Sequence, residues 1–89
     1  MNYNDTQEPD TQPGSYYVSA ADGDRIWLML GPFENDHKAA LEAVKAVKDY
    51  CVKREPYSYF YAWGTCRLPA GSEKQGHANN CLLNLLPRS

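Results

Sequence analysis

Residues 36 to 54 constrain the fold more than any other stretch, because their pattern suits only one kind of element. Ala40, Leu41, Val44, Val47 and Cys51 recur at spacings of three and four and form one apolar stripe, while Lys38, Glu42, Lys45, Asp49 and Lys53 alternate in sign along the opposite face. The spacing predicts an amphipathic helix from Asp36 to Arg54. Asn35 serves as N-cap, Glu34 and Asp36 put negative charge at the positive end of the dipole, and Lys53 and Arg54 suit the other end. Glu55-Pro56 closes the helix, since the residue before proline avoids the α region. The stripe is narrow and made of small side chains.

The rest of the body reads as strands. "YYVSA" and "RIWLML" flank "ADGD", and Asp22-Gly23 is the pair that a tight hairpin turn prefers, so two antiparallel strands follow; Gly31-Pro32 stops the second. A third strand is expected from about Tyr57 to Leu68. Alternation along it sends Ser58, Phe60, Ala62, Gly64 and Cys66 one way and Tyr57, Tyr59, Tyr61, Trp63 and Thr65 the other. A helix with a small-residue stripe favours the smaller set, which makes the odd positions a ladder of rings on the far face. Ile26, Leu28 and Leu30 then join the core, with Trp27 and Met29 on the ring side. The loop "PAGSEKQGHANN" follows, of a length usually functional or disordered. "CLLNLLPRS" is too short to classify, and either a helical turn or a fourth strand fits it. The expected fold is α+β: an antiparallel sheet of three to four strands, one helix on one face, in ββαβ order. Residues 1–14, polar with Tyr3 as their single aromatic, read as a flexible tail, and 15–89 as one small domain.

Eighty-nine residues at 43% hydrophobic and 22% charged suit one domain. So short a chain buries only about 60% of the surface its unfolded form exposes, so a partner or a second copy would help it. No apolar run approaches the roughly 20 residues that span a bilayer, and the polar start does not resemble a signal peptide; a cytoplasmic protein with no membrane partner is the expectation. Net charge is −2, but Asp5, Glu8 and Asp10 stand in a basic-free start, leaving eight acidic against nine basic residues in the body. Neither the basic face of a nucleic-acid binder nor the acidity of a nucleic-acid mimic is visible.

Candidate chemistry is sparse. His37 and Cys51 lie fourteen residues apart on one helix, roughly 21 Å at 1.5 Å per residue, too far for a dyad. His77 near Cys66 or Cys81 has no third orienting group. Cys51, Cys66, His77 and Cys81 are conceivable zinc ligands, but they contain no close Cys pair, and three buried, reduced thiols with a loop histidine are the better account of them. The expectation is no enzyme, no metal and no cofactor. The ring ladder carries more information. It suits a protein-binding patch or a platform for stacking unpaired bases, unless the C-terminal leucines or a second copy cover it. "YSYFYAWGT" contains no Lys or Arg, which favours protein contact over direct nucleic-acid binding. The expected contact residues are Trp27, Tyr57, Tyr59, Tyr61 and Trp63, with Lys74, His77 and Asn79 from the loop.

"YYVSAADGDRIWLMLGPF", the Ala-rich helix and "FYAWGTCRLP" together resemble a group of small, mostly uncharacterised accessory proteins encoded on bacterial phages, plasmids and integrated elements. The resemblance covers about residues 16–70. It implies a non-enzymatic factor that occupies a surface of a host protein complex, such as a nucleoprotein defence complex, in the manner of anti-CRISPR inhibitors. The "GPF" at the strand-to-helix junction also resembles the peptidoglycan-binding SPOR domain, whose second βα half and export signal this chain lacks.

Overall fold

The computed structural model describes residues 9–86. Strands β1 (Ser15–Asp22) and β2 (Arg25–Glu34) form a hairpin, helix α1 (His37–Arg54) follows, a 3-10 helix spans Pro56–Phe60, and strand β3 covers Ala62–Leu68. A last 3-10 turn lies at Leu83–Leu85. The sheet has the order β2-β1-β3, and β1 runs antiparallel to both neighbours. Strands β2 and β3 are therefore parallel to each other across β1, and such strands need a long crossover, which α1 supplies. The fold is α+β, with a three-stranded antiparallel sheet and one helix.

The hairpin turns on Gly23 and Asp24, one residue past the expected Asp22-Gly23 pair, with Gly23 at φ 62 and Asp22 paired with Arg25. The cap of α1 is displaced by one residue from the expected Asn35: the side chain of Asp36 accepts a bond from the Ala39 amide at 3.1 Å. Asn35 instead takes a left-handed conformation, φ 55, and its side chain accepts from the Gly14 amide.

Tyr16, Val18 and Ala20 of β1, Leu30 and Phe33 of β2 and Trp63 of β3 meet Ala40, Ala43, Val44 and Val47 of α1 in one core. This corrects the expected parity. Trp63 is 5% exposed beneath the helix, and Thr65 reaches His37 on the same face, so the odd positions of β3 face α1. Two features account for the difference. Proline at position 56 opens a 3-10 turn instead of a strand, so the alternation is confined to 62–68 and the expected ladder of four rings, Tyr57, Tyr59, Tyr61 and Trp63, does not exist. The small residue that admits a large ring is on the sheet, since Ala20 pairs with Trp27 on one side and Trp63 on the other and leaves room above itself for both indoles.

The parity of β2 is also corrected. Register irregularities between Tyr16 and Val18 and between Val18 and Ser19 insert extra β2 residues, and each insertion moves the following side chains to the other face. Trp27, Leu30 and Phe33, three apart, all reach the helix side, Met29 packs against the same core, and Ile26 is 65% exposed. Leu82, Leu85 and Leu86 pack against the core margin. Residues 1–8, most of the expected tail, lie outside the described residues. Within 9–14, the Asp10 amide donates to His37 Nδ1 and the Gln12 carbonyl accepts from Tyr16 Oη, both at 2.7 Å.

Candidate functional site: a ring-walled groove between β2 and the 3-10 turn

Proline at 56 and the turn Pro56–Phe60 hold the aromatic stretch off the end of α1, and Trp63 anchors it. The Trp63 indole N–H donates to the Ser58 carbonyl at 2.9 Å in a buried bond, which fixes the turn to the start of β3. Tyr61 leaves this anchor toward β2 and stacks on Trp27, with centroids 5.1 Å apart and planes 24° from parallel; Tyr57 meets Tyr61 edge-on at 6.1 Å. The result is a groove of about 340 Å³ lined by Arg25, Trp27, Met29, Glu55, Tyr57, Tyr61 and His77. Offset and edge-on contacts of this kind are the arrangements that the ring quadrupole favours. Arg25 and Glu55 put one charge of each sign on it. Glu55, foremost, and then partial desolvation raise the Tyr57 hydroxyl above its ordinary pKa, so it stays a neutral hydrogen-bond donor at physiological pH.

Four of the eight expected contact residues, Trp27, Tyr57, Tyr61 and His77, meet in this groove. The other four lie elsewhere. Tyr59 lies on the flank of α1, with the Lys48 ammonium 4.7 Å from its ring centre. Trp63 is in the core and is corrected as a contact residue. Lys74 is across the sheet, where its carbonyl accepts from Tyr17 Oη at 2.7 Å and its exposed side chain borders a second groove with Ile26, Leu28, Leu68, Gln75 and His77. Asn79 is buried: its amide group donates to the Gly31 carbonyl and accepts from the Gly31 amide at 3.0 Å. That residue staples the loop to β2, together with the His77 and Ala78 amides, which donate to Leu28 and Met29 carbonyls at 2.8 and 2.7 Å. Gly76 permits the approach, because a Cβ there would stand 2.6 Å from the Leu30 backbone.

Phe60, expected on the core side, is instead 84% exposed and lies edge-on to Tyr59 at 5.4 Å. Arg25, Met29 and Glu55 are not among the expected contact residues, although Met29 is expected beside Trp27; β2 irregularity and the proline turn bring them together. Cys51, His77 and Cys81 line one cavity with Tyr50 and Arg54, while Cys66 lies on the face away from α1. Burial pushes the Cys51 and Cys66 thiols up, which keeps them protonated. Among the described residues no three His, Cys, Asp or Glu side chains are placed to share a metal ion. No helix among them is long and apolar enough to cross a membrane. Comparison with known proteins returns no matching family model, curated protein or solved structure.

Proposed function

We propose that the protein is a non-enzymatic interaction module that seats a segment of another protein in the groove walled by Trp27, Tyr57 and Tyr61. The observation that carries this reading is the Trp27–Tyr61 stack closed edge-on by Tyr57, which is 59% exposed. Pre-ordered rings lose little rotamer freedom when they bury a ligand, which is why Trp and Tyr dominate contact energies, commonly at about 2 kcal/mol or more per hot spot. Arg25 and Glu55 leave the groove without net charge, so it suits a polypeptide carrying both an apolar side chain and polar backbone better than a polyphosphate strand. The resemblance to accessory proteins of mobile elements supports a host complex as the source of that segment, with inhibition by occupancy of its surface.

A displayed random-peptide library selected on the full chain tests the reading. Enrichment of a peptide that binds wild type and loses tenfold or more on Tyr57→Ala, with the melting transition retained, is the expected result. If no peptide is enriched, or if Tyr57→Ala binds as wild type does, the groove is not the contact site. Displacement of the peptide by oligothymidylate, with affinity falling steeply in salt, would replace the reading with nucleic-acid stacking.

A further inference from the structure

The segment after β3 returns to the C-terminal end of α1 and brings two thiols to one place. The His77 and Ala78 amides donate to β2, and the Cys81 and Leu82 amides then turn back onto the Ala78 carbonyl at 3.0 and 3.1 Å. Cys51, in the last turns of α1, packs against the core margin opposite this turn. Both cysteines line one cavity of about 250 Å³, with Met29, Tyr50, Arg54 and His77. The Tyr50 hydroxyl, next to Cys51 in the chain, donates to the Cys81 sulfur, and this bond, ahead of desolvation, raises the Tyr50 pKa. Cys66 is kept apart: it lies on the face of the sheet away from α1, bonded to Ser19.

We propose that Cys51 and Cys81 are a dithiol modification site, which closes to a reversible intrachain disulfide by exchange with a low-molecular-weight disulfide such as glutathione disulfide. The two sulfurs have unequal access, and that sets the order of the steps. Cys81 is exposed. Its thiolate attacks one sulfur of glutathione disulfide and expels a first glutathione thiolate, leaving a mixed disulfide on Cys81. Cys51 is half-buried, and burial foremost, then Glu55, raises its thiol, with Arg54 opposing. The negative end of the α1 dipole acts in the same sense as burial. Cys51 therefore acts second: it gives its proton to solvent, and its thiolate attacks the Cys81 sulfur and releases the second glutathione thiolate. The two cysteines lose two electrons and two protons, and glutathione disulfide gains them to become two thiols. The new bond ties the end of the 69–80 loop to the helix. Its cavity borders the ring-walled groove through Met29, Glu55 and His77, but the pairing does not depend on what that groove holds.

The test equilibrates the full chain in a series of reduced and oxidised glutathione buffers, traps free thiols by alkylation, and reads intact mass and peptide maps. The expected product is a single chain lighter by two hydrogens before alkylation, linked between Cys51 and Cys81, with Cys66 alone alkylated. The effective concentration of the pair in the native chain should exceed that in urea by about tenfold or more, since the fold holds the two sulfurs together. Cys66→Ser should close as wild type does, whereas Cys51→Ser should stop at the mixed disulfide on Cys81. Three free thiols throughout the series overturn the proposal. Pairing through Cys66, a bond between two chains, or an effective concentration no higher than in urea overturns it equally. Should Cys51→Ser fail to fold, the wild-type map and the urea comparison decide the matter alone.

Discussion

The helix-covered face has a ring cluster at each end, and the two are finished in opposite ways. Near the start of α1, Tyr16 stacks on His37 with centroids 4.7 Å apart and planes 13° from parallel. The Asp10 amide can only donate, so His37 Nδ1 accepts its bond, and the imidazole is neutral with its proton on Nε2, directed at Thr65 Oγ1 2.8 Å away. Tyr16 donates to Gln12, and the strap 10–14 closes over the pair. Near the end of α1, Trp27, Tyr61 and Trp63 form a comparable stack in which the Trp63 indole donates to Ser58, and Tyr57, Tyr59 and Phe60 beside it are exposed. Ring content alone does not mark a contact surface. What distinguishes the second cluster is that no strap among the described residues closes over Tyr57, Tyr59 and Phe60, which are 59%, 58% and 84% exposed.

The comparison breaks most visibly at Trp63. Trp63→Ala should cost about 3–5 kcal/mol in urea unfolding, because it empties the space over Ala20 and frees the Ser58 carbonyl. At the other end, His37→Phe should cost about 1–3 kcal/mol by leaving the Asp10 amide and Thr65 hydroxyl without their partner. His37 also makes that end sensitive to pH. Burial lowers its pKa below 6.5, with Asp10 opposing, so the unfolded chain takes up the proton first as pH falls. Stability should be constant with respect to this group above about pH 6.5 and decline below it, until the folded-state pKa is passed. His37→Phe should remove that component from a pH series of melting curves. Ser58→Ala should be neutral or stabilise by up to about 1 kcal/mol, since the buried Ser58 hydroxyl has no hydrogen-bond partner among the described residues. Phe60→Ser should change stability by less than about 0.5 kcal/mol, and a larger loss would mean that this ring is covered in the folded protein.

The helix and the hairpin were legible because each rests on local chemistry. Residues 40, 41, 44 and 47 carry the 3.6-residue period, and all four are buried. The hairpin likewise forms within one residue of the expected Asp22-Gly23, on Gly23 and Asp24. The site was legible only in part. Alternation groups Trp63 with Thr65 correctly but does not say which set meets the helix; Pro56 takes residues 56–60 out of the strand, and bulges break the register of β2. Phe60 and Trp63 consequently exchanged roles: the residue expected inside is exposed, and the one expected outside is buried. Asn79 was recognised as a residue of note in a polar loop, but its staple to Gly31 depends on a backbone approach that no sequence pattern announces.

Acrylamide quenching of two single-tryptophan variants reaches the division of the aromatic stretch most directly. Trp27→Phe leaves Trp63 as the sole indole, and Trp63→Phe leaves Trp27. The first should emit at short wavelength and resist quenching, while the second should be quenched readily from the groove and be shielded when a peptide binds. Equal quenching of the two, or a Trp63 that is the more accessible, would contradict the buried position of Trp63 and remove the anchor on which the groove depends.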